Sequence, residues 1–227
     1  MPIIISGSNG ISGVDGTAAA PAVQGTDGNT GVFFPAADQV ALAANGAQVL
    51  LGTTTGVTVA GTLQANGVTG SLYPLVLGTA QASTSGTSID FTGIPSWARR
   101  VTVMFNGVST NGTSTVQIQL GSTSFVTSGY SCVASGFALS NANTLSFTSG
   151  IVTGDSSTAA MIRFGSIVFT NVSGNAWVAD GGLALPGTGK HICSGGVTLP
   201  GTLDRVRITT VGGTDTFDAG SINIMWE

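Results

Sequence analysis

The sequence predicts an all-β fold, with a thin N-terminal β-rich segment over residues 1–72 and a jelly-roll-like β-sandwich over residues 73–227. Three observations lead there. Short apolar runs alternate with polar residues at regular spacing, Gly, Asn, Ser and Thr separate them, and no stretch carries a convincing helical period. Gly makes up 35 of 227 residues and charged residues only 7%, against roughly 25% in an average soluble protein, so small neutral side chains must solvate most of the surface. The charge is also unevenly divided. Residues 1–98 hold Asp15, Asp27, Asp38 and Asp90 and no cation, while residues 99–227 hold all six cations and six acids.

Taken in order, Pro2-Ile3-Ile4-Ile5 reads as a short apolar strand, followed by a Gly/Ala/Thr loop to about Thr30. Gly25 to Gly31 is a turn cluster leading into Val32-Phe33-Phe34-Pro35. Over Ala36 to Leu51 the composition of a short helix competes with a hairpin. A turn at Asn45-Gly46 would set Leu42 opposite Val49 and Val40 opposite Leu51, and the hairpin is the reading adopted. Residues 55–72 alternate Val57, Val59, Gly61 and Leu63 with polar or small residues. One such layer buries too little to stand alone, whereas sister copies around a symmetry axis would close a core; a trimeric shaft is expected, against the alternative of a flexible Gly/Thr linker.

Tyr73-Pro74 is the expected junction. Beyond it, strands are predicted over 75–78, 87–91, 100–107, 115–120, 132–139, 144–152, 160–170, 176–179, 191–199, 204–211 and 221–226. In Arg100 to Leu120, a turn at Asn111-Gly112 would make a hairpin with Phe105 opposite Ile118 and Val103 opposite Leu120. Within MIRFGSIVF, a bulge at Gly165 would bring Ile162, Phe164, Ile167 and Phe169 to one face. Ile222, Ile224 and Trp226 alternate to the C-terminus, as in a paired strand.

Several function classes are disfavoured. A net charge of −4 lacks the clustered Lys and Arg that phosphate binding needs, so no nucleic acid is expected. Mean hydropathy is +0.41, yet no run approaches the ~18 apolar residues of a membrane span, so no membrane insertion is expected. The Met1-Pro2-Ile3 start lacks a basic region and a long apolar region, which favours cytosolic synthesis and two buried thiols, Cys132 and Cys193, over a bridge. No metal ligand set or cofactor motif stands out: Gly182…Lys190 has the outline of a phosphate loop with the wrong spacing. No catalytic residue is assigned, because the one Glu is Glu227, and Asp215 and Asp218 sit near Gly-rich turn sequence.

TGVFFPAADQVALAANGAQVLL, the block from Ile94 to Gly121 and the closing FDAGSINIMWE resemble stretches of fibre and spike proteins of tailed bacteriophages. The resemblance implies a virion protein, a homotrimer held to other virion proteins by its N-terminal segment, with a C-terminal tip that contacts a host surface glycan. The expected function is therefore a fibre whose tip binds host polysaccharide without catalysis. A decoration or adaptor protein without a receptor role is the alternative, and a depolymerase with an inter-chain Asp site is a third reading. For binding, Tyr130 and Trp177 stand beside turn residues where a ring could stack on a sugar, and Lys190 with His191 is expected to form a polar basic loop. Trp177 fits a strand core equally well, and Trp97 is expected to plug the junction.

Overall fold

The computed structural model describes residues 4–6, 10–12, 14–61, 75–138, 142–154 and 157–227. All regular structure among them is β, as the sequence predicts. The chain divides into two compact units, Met1–Leu72 and Tyr73–Glu227. Tyr73, Pro74 and the continuation of the alternating segment over 62–72 lie outside the described residues.

The first unit contains β1 (Ile4–Ser6), β2 (Gly10–Ser12), β3 (Gly16–Thr17), β4 (Ala20–Pro21), β5 (Val23–Gln24), β6 (Gly31–Phe33), β7 (Val40–Ala44), β8 (Ala47–Thr53) and β9 (Gly56–Val59). Strands β1 and β2 pair, as do β3 and β4, and β5 to β9 form one antiparallel meander. Four short strands thus replace the loop expected before Thr30. The Asn45-Gly46 turn is present, with φ of 51° and 74° as a type I′ turn requires. Its register differs from the simple count. A bulge at Val49 sets Leu42 opposite Leu50 and Ala41 opposite Leu51. Phe33, Ala41 and Ala43 are buried with Ala18 and Leu51 against them, so Leu42 and Val40 face outward rather than into a core.

The second unit contains β10 (Val76–Leu77), β11 (Gln81–Ala82), β12 (Ser88–Thr92), β13 (Arg100–Thr110), β14 (Val116–Ser122), β15 (Ser124–Phe125), β16 (Ser131–Ala138) and β17 (Ala142–Phe147). It continues through β18 (Ile151–Val152), β19 (Arg163–Ser173), β20 (Ala176–Leu185), β21 (Gly189–Thr198), β22 (Arg205–Thr210) and β23 (Phe217–Trp226). The larger sheet runs β10-β23-β13-β19-β20-β21-β16-β17, with β11 also on β23; the smaller runs β12-β22-β14-β15, with β18 also on β14. One apolar core joins them: Val101, Val103, Ile167 and Ile224 come from the larger sheet, Ile89, Ile118, Val206 and Ile208 from the smaller. Trp97 is half-buried against this core.

The hairpin expected around Asn111-Gly112 is absent, because β13 and β14 belong to different sheets. Neither Asn111 nor Gly112 takes the positive φ that a type I′ turn needs. Instead Asn111 closes on the loop before β23, its N–H donating to Thr216 O at 2.9 Å and its Oδ1 accepting from Thr216 N–H at 2.9 Å. The apolar residues counted as neighbours are inward-facing residues of two sheets. The common face expected in β19 is absent too: Ile167 and Phe169 are buried while Ile162 and Phe164 are exposed. The local register shift lies between Asn106 and Val108 of β13, so the 163/165/167/169 parity points inward and Arg163 is fully buried. The segment predicted as one strand over 144–152 is two, β17 in one sheet and β18 in the other.

Candidate functional site

The four residues singled out for binding do not come together. Tyr130 is buried; its hydroxyl accepts from Leu120 N–H at 2.7 Å and donates to Leu120 O at 3.4 Å, and burial pushes the phenol up to about 12. Trp177 is buried in the sandwich core, opposite Asn171 on one side and Val197 on the other. His191 points inward from β21, packed so closely on Gly154 that a Cβ there would overlap its imidazole. These three cannot meet a soluble glycan. Lys190 alone is exposed, on the outward parity of β21, where its register partners are Phe137 and Ala184. Turn residues flank both aromatics in the sequence, but strand parity turns Trp177 inward and bonds to Leu120 hold Tyr130 inside.

A groove over the smaller sheet is the better-built polar site, with Ser88 and Arg207 half-buried and Gln117, Gln119 and Thr209 buried. It is lined by Ser88, Gln117, Gln119, Arg207, Thr209 and the Gly212-Gly213 backbone. Strand alternation puts them there. Ile89, Phe91, Ile118, Leu120, Val206 and Ile208 point into the core, so their neighbours on β12, β14 and β22 point out. Register then aligns Asp90, Arg207 and Gln119 in one row and Ser88, Thr209 and Gln117 in the next.

Arg207, Gln117, Gln119 and Thr209 are held in place. Arg207 donates from Nε to Asp90 Oδ1 at 2.8 Å and from Nη2 to Asp90 Oδ2 at 2.7 Å, a two-pronged pair that fixes its plane and holds the guanidinium more firmly protonated. Its Cζ lies 4.1 Å from the centroid of the Phe125 ring. Next to it, Arg205 pairs with Asp204 at 2.7 Å, which keeps that carboxyl below its ordinary range. Gln117 Nε2 donates to Thr210 O at 3.2 Å while its Oε1 accepts from Ser149 Oγ at 2.8 Å; Gln119 Nε2 donates to Ser149 O at 2.9 Å. Thr209 Oγ1 donates to Thr87 O at 2.8 Å.

The groove is thus close to neutral, with Gln117, Gln119 and Thr209 buried and bonded internally, and the Arg207 and Arg205 guanidiniums 4.1 Å and 5.7 Å from the centroid of the Phe125 ring. Such a surface can take a polyol, whose hydroxyls both donate and accept. Asp215 and Asp218 do not line the groove and are engaged, Asp215 Oδ2 accepting from Ser114 N–H at 2.7 Å and Asp218 Oδ1 from Ser109 Oγ. Among the described residues no group of three or more His, Cys, Asp or Glu could hold a metal ion, and no helix is long and apolar enough to cross a membrane. Cys132 and Cys193 are buried free thiols. The sequence signal for the groove was present but weak: Gln117 and Gln119, Asp90, and Arg205 with Arg207 alternate with apolar residues in three separate strands. Only pairing brings them together.

No family model, curated protein or solved structure matches the chain.

Proposed function

We propose that the chain is a structural virion protein of a tailed phage, a homotrimeric fibre or spike whose sandwich binds a host-surface polysaccharide without altering it. The trimeric shaft and jelly-roll-like winding expected from the sequence belong to the same reading. The observation that carries it is the groove on the smaller sheet, where Asp90 and Phe125 hold the Arg207 guanidinium flat beside Gln119. Preorganised donors lose little freedom on binding, and with Nε and Nη2 committed to Asp90, Nη1 is left for a sugar oxygen. Asp90 and Asp204 are paired with arginines, an arrangement suited to holding a glycan rather than cleaving it. Binding at one groove would be weak, and several grooves on one fibre would raise the avidity.

The test is adsorption of the purified chain to host cells, with the surface glycan assayed before and after. Binding with the glycan intact is expected. Arg207→Lys, which keeps the charge and loses the planar fork, and Ser88→Tyr, which fills the groove, should each weaken binding at least about tenfold. Loss of glycan would overturn the non-catalytic reading in favour of a depolymerase. Absence of both binding and glycan loss would leave a decoration or adaptor role.

A further inference from the structure

In the first unit the usual placement of large and small apolar residues is inverted. Ala41 and Ala43 are buried, while their larger neighbours Val40 and Leu42 are 45% and 40% exposed. The cross-strand register turns this into a continuous surface. Val23 pairs with Val32, Val32 with Leu42, Leu42 with Leu50, and Leu50 with Val59, so one aliphatic row crosses all five strands of the meander. The bulge at Val49 makes the row by turning Leu50 out and Leu51 in. Val40 and Val57, both opposite Gly52, extend it by a second row.

We infer that this row is the seam at which copies of the chain pack against one another, the same row from each copy meeting around a shared axis. The inference rests on the homo-oligomeric part of the proposed function and assigns it a surface. Charge selects the occupant. The row carries no charged residue, and Asp27 and Asp38, the unit's nearest acids, sit in the turns that flank β6. A charged partner finds no handle on such a face, whereas a second neutral aliphatic row complements it. Size is compatible: the exposed Val and Leu area is on the order of 400 Å², the size of the largest apolar patch on a typical monomer, which is often functional, and about half of one partner's share of a standard interface, the rest coming from polar rim. Rows running across the strands also suit copies wrapped around an axis, because each sheet presents its full width inward.

Sedimentation of the full-length chain tests the seam beside two variants. The wild type is expected to be a multimer, and Leu42→Asp to fall to the monomer mass with thermal unfolding of the sandwich unchanged. Should Leu42→Asp fail to fold, a second variant decides: Leu42→Cys is expected to give inter-chain species with a short bismaleimide, while Val211→Cys, exposed on the sandwich, gives none. A wild-type multimer whose mass survives Leu42→Asp, or a Leu42→Cys chain that does not cross-link, overturns the seam and leaves the trimer standing. A monomeric wild type overturns both, while glycan binding is still judged by the groove variants.

Discussion

Tyr130 shows at the scale of one residue what the sequence could not specify. Its hydroxyl holds the Leu120 N–H in a buried strand, so Tyr130→Phe leaves that donor unsatisfied. The expected cost is about 1–3 kcal/mol, read as a fall of several degrees in Tm. The same burial sets a pH limit. Tyr130 is pushed from 10.0 to about 12, and Cys193, buried and beside Cys132 and Asp180, from 9.0 to about 12. A group whose folded pKa exceeds its unfolded value stabilises fully below the unfolded pKa and loses that stability as pH rises towards the folded one. Through these two groups urea midpoints should therefore fall as pH rises above about 9, opposed above pH 10 by Arg163, which burial lowers from 12.5 to about 10, and the Tyr130→Phe variant should fall less above pH 10 than the wild type. A turn beside an aromatic suggests exposure only statistically. Strand parity placed Trp177 and His191 inside and left Lys190 out, while Tyr130, one residue before β16, is held inside by its bonds to Leu120.

At the scale of elements, the alternation of apolar residues located most strands of the sandwich, and the Asn45-Gly46 turn was legible because its two residues favour positive φ. Register was not legible where bulges intervene. The extra residue at Val49 sets Leu50 rather than Val49 opposite Leu42, and because the irregularity lies at Gly107 of β13, β19 keeps its regular alternation, with Phe164 facing out and Arg163 facing in. The pairing of β13 with β23 depends on two close glycines. Gly220 has φ of 89°, and a Cβ there would overlap the carbonyl oxygen of Gly107. Gly220→Ala should cost about 3 kcal/mol or more, since rigid backbone on both strands must yield. Gly187→Ala, at φ of 77° with open space around it, should cost only about 1 kcal/mol. Urea titration of the two variants measures the difference. The β13–β14 hairpin failed for another reason: one side-chain and one backbone bond between Asn111 and Thr216, about a hundred residues away, outweigh the local turn preference of Asn-Gly.

For the whole molecule, the proposed seam and groove lie in different units and make separable contributions to adhesion. A seam built from neutral aliphatic residues strengthens adhesion only by linking grooves, so its loss should leave each groove intact. Leu42→Asp is therefore expected to bind a short soluble glycan fragment with unchanged single-site affinity by calorimetry, while its residence on whole cells drops by about 10²–10⁴-fold, the range in which multivalent attachment exceeds its parts. Arg207→Lys should do the opposite, lowering affinity for the fragment with native mass unchanged. Because Arg207 is paired with Asp90 and Arg205 with Asp204, the groove presents almost no net charge, and fragment binding should vary little with ionic strength. A steep salt dependence would mean that the ligand is an anion drawn by Arg205 and Arg207 rather than a neutral polyol. If Leu42→Asp lost fragment affinity and cell residence together, the two units would not act independently and the avidity account would fail.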